Sequence, residues 1–439
     1  MIMSRLLCLL SLLTLSGAAA AQPPRPQVQP TPPQQIVIHA GRLIADPARP
    51  AQGPSTIVVV GDRIQSVTPG LQPAPPGARL VDLSNRTILP GLIDTHVHLS
   101  GDPGGDYRDE AVDTDAWAVL TGVRNARITL RAGFTTVRDL GSVPEVIFAL
   151  RRGTAQGWIE GPRVIAAGAP VSIIGGHGDV SGFRREVVEV LQLRNTCTGP
   201  AECAARVREF ARGGSDVIKF TATGGVLSQQ ARGLDAHFTD EEMRAIVTTA
   251  HSLGLKVAAH AHGARGIAAA ARAGVDSIEH GTFADRDAIA AMRANKAAFV
   301  PTLMAFTGIR ERLGTGVFTP QVEVKVRETI AQVGAAARAA RAAGVPVVFG
   351  TDAAVFEHGR NAEEFRLLVD LVGMSPAEAI ASATTAAARL LGMENELGRI
   401  APGFSADIIA VEGDPLADVR QLEDVDVVIK GGELVGDRR

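Results

Sequence analysis

His96 and His98 stand one residue apart in Gly91-Leu92-Ile93-Asp94-Thr95-His96-Val97-His98. In an extended run the alternation of side chains turns both imidazoles to one side, where they can grip a single metal ion. A lone His-x-His is equally well read as two hydrogen-bonded histidines. Lys219 lies in Val217-Ile218-Lys219-Phe220, an apolar setting unusual for a lysine. Burial lowers the pKa of such an amine and exposes a nucleophile, which can add to carbon dioxide and become a carbamate offering two oxygens to two metals. The plainer reading is a lysine that snorkels from a strand end or pairs with an acid. His260, His280 and Asp352, the last in Phe349-Gly350-Thr351-Asp352, each follow or close a short apolar run. Singly, each is equally well read as a satisfied core or turn residue.

The elements that would carry these residues follow one rhythm. Short Val/Ile-rich runs read as strands at Ile88 to Asp94, Thr135 to Leu140, Arg163 to Ala167, Asp216 to Phe220, Lys256 to Ala261, Ser277 to His280, Ala298 to Leu303 and Val345 to Gly350. Between them, stretches of helical composition run at Ala116 to Ala132, Ala201 to Arg212, Asp240 to Leu253, Gly263 to Ala273, Arg286 to Asn295 and Val322 to Ala343. Repeated strand and helix predict an α/β fold, a (β/α)8 TIM barrel spanning residues 88–394. An open doubly wound sheet is the alternative; against it, no Gly-x-Gly-x-x-Gly follows the first run. In a barrel, His96, His98, Lys219, His260, His280 and Asp352 all fall at the carboxyl ends of strands one, four, five, six and eight. That face builds the active site, and the set predicts a metal centre.

Both chain ends read differently. Short β-rich runs punctuated by Gly and Pro over 36–87, and again over 395–439, predict a small antiparallel β-sandwich assembled from the two ends. Residues 22–35 are mostly Pro, Gln and Arg and read as an extended tether. In residues 1–21, Arg5 precedes an apolar run from Leu6 to Leu15, and Ala19 and Ala21 suit signal-peptidase cleavage before Gln22. The expected product is exported, periplasmic or secreted, with no membrane insertion after cleavage. An oxidising compartment would let Cys197 and Cys203 form a disulfide; two buried thiols are the alternative. The 439 residues carry 47 acidic and 44 basic side chains, a balance that announces no nucleic-acid surface. Hydrophobic residues at 46% exclude a disordered chain.

The motifs quoted above, with His260-Ala261-His262-Gly263, Ile278-Glu279-His280-Gly281 and the late Leu397-Gly398-Arg399-Ile400-Ala401-Pro402-Gly403, resemble the metal-dependent amidohydrolase superfamily. The likeness covers Ile36 to Val435 and is similar to the prolidase- and carboxypeptidase-like branch related to imidazolonepropionases. The resemblance implies two divalent zinc ions: His96, His98, carboxylated Lys219 and Asp352 would hold one, and Lys219, His260 and His280 the other. It implies hydrolysis of an amide, with Asp352 accepting the proton of the attacking water and passing it to the leaving nitrogen. His177, in Gly175-Gly176-His177-Gly178-Asp179, matches a histidine that contacts substrate in that branch. His262 stands where many relatives carry a tyrosine that binds the substrate carboxylate. Arg184 and Arg185 could attract an anion, the loop Gly224 to Ser228 lines the expected pocket, and Val300 to Phe306 would take an apolar side chain.

By that likeness the substrate is a small amide or peptide, an N-acyl amino acid or dipeptide cleaved at its C-terminal residue, with ochratoxin A as one example. A lactonase or cyclic-amide hydrolase using the same metals is one alternative, and a catalytically silent binding protein is another. A homo-oligomer is expected from the branch.

Overall fold

The computed structural model describes residues 35–104, 108, 111–229 and 233–437. The expected signal segment, and the tether up to residue 34, lie outside the described residues. In chain order the first strands are β1 (Gln35–Leu43), β2 (Ser55–Val60), β3 (Arg63–Pro69) and β4 (Arg79–Pro90). Then come β5 (Leu92–Val97), β6 (Phe134–Asp139), β7 (Arg163–Ala166), β8 (Val217–Thr221), β9 (Lys256–Ala261), β10 (Ser277–His280) and β11 (Ala298–Val300). The last are β12 (Ile408–Val411), β13 (Val427–Lys430) and β14 (Glu433–Asp437).

Strands from both ends share one mixed sheet of order β14-β13-β12-β4-β1-β2-β3. The sheet folds back on itself, since Arg63 bridges Ser405 and the Ala406 amide donates to the Asp62 carbonyl at 2.8 Å. Inside the fold lie Ile38, Ile57, Ile64, Leu83, Ile88, Ile408 and Ile429. One expectation is corrected here: the module is not wholly antiparallel, because β1 and β4 run parallel. The β2–β3 hairpin occupies one edge of β1, so the returning chain pairs at the other edge in the same direction.

Strands β5 to β11 build the barrel. Regular hydrogen bonding gives two parallel arcs, β5-β6-β7 and β8-β9-β10-β11. A bridge between Val171 and Phe220 joins them beyond the end of β7. The expected eighth strand is an extended segment rather than a regular strand, bridging β11 through Phe299 and Val347 and β5 through Val97 and Ala353. Pro346 and the left-handed Asp352 and Ala354, at φ 63° and 112°, interrupt a continuous ladder there. The first barrel strand starts later than expected, at Leu92, because Ile88 to Pro90 finish β4 against β12. Gly91 separates the two strands, and a Cβ there would lie 2.2 Å from the Thr135 hydroxyl.

Helices α1 (Asp115–Arg131), α2 (Pro144–Ala155), α3 (Arg185–Leu191), α4 (Pro200–Gly213), α5 (Asp240–Ser252), α6 (Ala264–Ala273) and α7 (Arg286–Asn295) surround the first strands. After β11 come α8 (Leu303–Arg312), α9 (Pro320–Ile330), α10 (Ala335–Ala342), α11 (Glu363–Leu367), α12 (Pro376–Ser382) and α13 (Thr385–Leu391). The long helix expected over Val322 to Ala343 is two, broken by left-handed Gly334 at φ 81°. The seventh strand stops short because Pro301 offers no N–H to the ladder and Thr302 turns left-handed at φ 47°. Helix α2 escaped notice, although Pro144 opens it and Val146, Ile147 and Leu150 share its buried face. The barrel and helix interior forms one large apolar cluster that includes Phe134, Phe220, Phe299, Phe349 and Phe365.

Candidate metal centre

The six expected ligands converge at the carboxyl ends of the barrel strands, and all but His98 are under a tenth exposed. His96 sits near the end of β5, with His98 just beyond it; Lys219 is in β8, His260 in β9 and His280 last in β10. Asp352 follows the extended eighth segment, where its amide donates to the His96 carbonyl at 2.7 Å. Two sets of side chains have ligand atoms all within 4.8 Å of one another, His96–His280–Asp352 and His260–His262–His280. His98 Nε2 lies 3.0 Å from Asp352 Oδ1, and the Lys219 amine lies 3.4 Å from His96 Nε2. His280 and Asp352 are both left-handed, at φ 69° and 63°, a backbone cost found where a side chain must be aimed.

Each imidazole is held by its other nitrogen. His96 Nδ1 meets Glu279 Oε2 at 2.9 Å, His98 Nδ1 the Gly141 carbonyl at 2.6 Å, and His280 Nδ1 the Thr302 hydroxyl at 2.7 Å. His262 Nδ1 meets the Thr282 hydroxyl at 2.8 Å. His260 is reversed: its Nε2 faces the Gly224 carbonyl at 3.3 Å, leaving Nδ1 as the nitrogen available to an ion. Such outer partners fix the tautomer of a metal-binding histidine.

Beneath the ligands, Arg138 of β6 spans the barrel. It donates to the Thr95 carbonyl at 2.6 Å, to Ser277 Oγ at 3.2 Å and to Glu279 Oε1 at 3.0 Å. Burial would raise the Glu279 carboxyl, but Arg138, the His96 hydrogen bond and Lys219 together outweigh it and take the pKa to about 2. Glu279 is therefore a fixed anion on His96. Asp94 ties the first strand to the last segment, accepting from the His96 and Thr351 amides at 3.1 Å each, from Thr351 Oγ1 at 2.6 Å and from Asn361 Nδ2 at 2.8 Å. None of Arg138, Glu279 or Asp94 was singled out from the sequence as a site residue. The signal was there, since a charge inside a strand otherwise built for burial needs a partner.

The electrostatics suit a cation. Burial pushes His96 down to about 4 and holds His260 and His280 well below the ordinary imidazole range, so their nitrogens keep lone pairs at neutral pH. Burial also lowers Lys219, to about 8. It works against the Asp352 carboxylate, yet His96, His98 and His280 hold that group well below its usual range. Four imidazoles, an amine of lowered pKa and a carboxylate, facing one another in a buried site, fit hard-to-borderline divalent ions.

His177 is brought to the centre: its ring centroid lies 4.1 Å from that of His260, and its Nδ1 meets Ser228 Oγ at 2.5 Å. Gly225 packs so closely that a Cβ would lie 2.3 Å from the His177 ring. His262 stacks on His280 with ring centroids 5.0 Å apart. Its place in the second ligand set means that proximity alone does not separate it from the other candidate ligands. Arg184 and Arg185 are not brought in; their side chains are 82% and 88% exposed and pair with Glu186 and Glu189. Val300 to Phe306 is half strand end and half helix, with Phe306 6.4 Å from the His262 ring.

Residues 87–435 match the Amidohydrolase family, and the chain belongs to it. It is a metal-dependent hydrolase of carbon–nitrogen bonds with a binuclear divalent-metal centre, in the prolidase- and dipeptidase-like branch. A solved Xaa-Pro dipeptidase with methionine bound in its active site is 38% identical, with a TM-score of 0.86 over 91% of this chain and 99% of that one. A prolidase complexed with N-methylphosphonate-L-proline is 29% identical, with a TM-score of 0.83 over 92% and 100% of the two chains. Ochratoxinase from Aspergillus niger is 32% identical over 429 residues, 91% of this chain and 86% of that protein.

Proposed function

We propose that this chain removes the C-terminal residue from N-acyl amino acids or dipeptides, using two zinc ions, with ochratoxin A among the amides it accepts. The observation that carries the reading is that the two ligand sets share His280 while the Lys219 amine lies 3.4 Å from His96. Each set would hold one ion, and the lysine stands beside the first set. The names of the similar dipeptidase, prolidase and ochratoxinase support the substrate class.

His96, His98, Lys219 and Asp352 would hold one ion, and Lys219, His260 and His280 the other. The Lys219 amine adds to carbon dioxide, forming one N–C bond and releasing one proton, and so gains two oxygens. When bound, two divalent ions supply an activated water at neutral pH and polarise the scissile carbonyl. Asp352, kept anionic by its histidine neighbours, takes a proton from the attacking water and delivers it to the nitrogen of the departing amino acid. Burial brings both His177 and His262 down to about 3, so they act as neutral hydrogen-bonding groups toward the substrate. Val226, Leu227, Ile309, Phe318 and Val355 cluster where the loops after strands four, seven and eight meet, an apolar wall for the acyl group or side chain.

The test is a hydrolysis profile of the zinc-loaded protein on N-acyl amino acids and dipeptides varied in their C-terminal residue, with ochratoxin A, a lactone and a hydantoin alongside. Release of the C-terminal amino acid is expected. Turnover of ring substrates alone would replace the substrate class.

Export through the signal segment belongs to the same proposal, supported by the disulfide between Cys197 and Cys203, a bond suited to an oxidising compartment. Recovery of the protein from the cell interior with its N-terminal segment intact would overturn it. Assembly as a homo-oligomer is proposed likewise; a solution mass equal to that of one processed chain would overturn that.

A further inference from the structure

A substrate that ends in a free carboxylate needs a counter-charge, and the cations so far described do not supply one. Arg138 is committed to Glu279, Lys219 is assigned to the metals, and Arg184 and Arg185 stand in solvent beside their own glutamates. His177 and His262 are neutral and can donate a hydrogen bond without cancelling a charge.

Lys325 of α9 is different. It is 7% exposed, and its ammonium donates to the Gly225 carbonyl at 2.9 Å and to the Ser228 carbonyl at 2.6 Å. Those two residues hold His177, Gly225 by packing under the ring and Ser228 through its hydroxyl at 2.5 Å. The two carbonyls leave one of the three ammonium donors over. Among the described residues no carboxylate forms an ion pair with Lys325. Burial brings its pKa to about 8 with no acid holding it up, whereas Arg312 of α8, at the same rim, has Glu357 and Glu311 as charged neighbours. A buried cation is ordinarily paired, and its charge here reaches both His177 and His262.

We propose that Lys325 is the anchor for the free α-carboxylate of the substrate, its anionic partner arriving with each substrate molecule. The inference rests on the amide-hydrolase reading above and deepens it. Lys325 would make the enzyme a carboxypeptidase-like cleaver of free acids rather than a general amidase.

The experiment compares kcat/KM for an N-acyl amino acid with that for its C-terminal carboxamide, in the wild type and in Lys325→Gln, Lys325→Met and Lys325→Arg. Glutamine can still donate hydrogen bonds to the loop while lacking the charge, so it guards against a methionine variant that fails to fold. The expected result is a wild-type preference for the acid that shrinks at least about tenfold in the Gln and Met variants, through KM, and persists in the Arg variant. An equal loss on acid and carboxamide would make Lys325 a brace of the loop and overturn the proposal. A wild type indifferent to the carboxylate would also overturn it, leaving amide hydrolysis intact. A wild type that cleaves no N-acyl amino acid would overturn both readings.

Discussion

Asp352 is asked to do two things, hold an ion and carry a proton, and the two can be separated. Asp352→Asn is expected to lower kcat by about two to four orders of magnitude, the usual share of acid–base catalysis, while elemental analysis still finds metal bound. Full turnover with both metals in place would remove Asp352 from proton transfer. A second separation concerns the stacked histidines. His260→Asn is expected to lose close to one metal equivalent and His262→Asn to keep two with a raised KM; a metal deficit in the His262 variant would move that residue into the ligand set that its position also permits. The lowered pKa of Lys219 makes a pH prediction with a definite sign. The amine adds to carbon dioxide only when neutral, and its neutral fraction grows as pH rises toward and past about 8. Activation of metal-free protein by bicarbonate and zinc is therefore expected to steepen from pH 6 upward and level above about pH 8. A rate independent of pH over that interval would speak against amine capture. At this scale the residues that converge at the strand ends were legible because residue type and strand-end position suffice to mark them. Their supports were not: Arg138 and Glu279 are 141 residues apart in the chain, and Lys325 is 100 residues from Gly225. No local pattern pairs residues at such separations.

The elements explain why the candidate ligands stay aimed. The amides of Leu303 and Met304, which open α8, donate to the two oxygens of Glu364 on α11 at 3.0 and 2.7 Å. Thr302, the residue before that helix, in turn holds His280. Glu364→Ala is expected to lower unfolding free energy by about 1–3 kcal/mol, the cost of buried amides left without acceptors, and to speed metal loss to a chelator. Unchanged chelator kinetics would show that α8 does not orient His280. Arg138→Met should cost more, about 3–5 kcal/mol, because it leaves Glu279 as an unpaired anion inside the barrel. Denaturant titration would measure it, and a change under about 1 kcal/mol would mean the pair is energetically idle. The limits of β9 and β10 agree with the reading from the sequence because short Val-, Ala- and Ile-rich runs there end cleanly. The eighth strand and the split after Ile330 were misjudged because both depend on left-handed turns that composition does not reveal.

At the scale of the molecule, the Cys197–Cys203 bond closes a short loop next to Asn195, whose side chain donates to the Pro170 and Gly178 carbonyls at 2.7 Å each. Those carbonyls flank the loop that carries His177. Replacing both cysteines by serine is expected to cost about 2 kcal/mol through loop-closure entropy and to raise KM more than it lowers kcat; an unaltered KM would confine the bond to stability. The barrel architecture was legible as a whole because alternating strand and helix signals persist over 88–394. That the two ends share one sheet follows only weakly from composition, and the pairing of β4 with β12 is a fact of the fold alone.

That pairing has a consequence for how the enzyme is made. Residues Thr87 to Pro90 lead directly into the strand bearing His96, and their partners, Ile408 to Val411, lie more than three hundred positions later. A nascent chain therefore displays the first strand of the candidate metal centre early, with an open edge beside it, and cannot close that edge until the final strands are synthesised. Metal capture is expected only after synthesis is complete, and a truncated chain that stops before residue 408 should expose a sticky strand edge rather than yield a weakened enzyme.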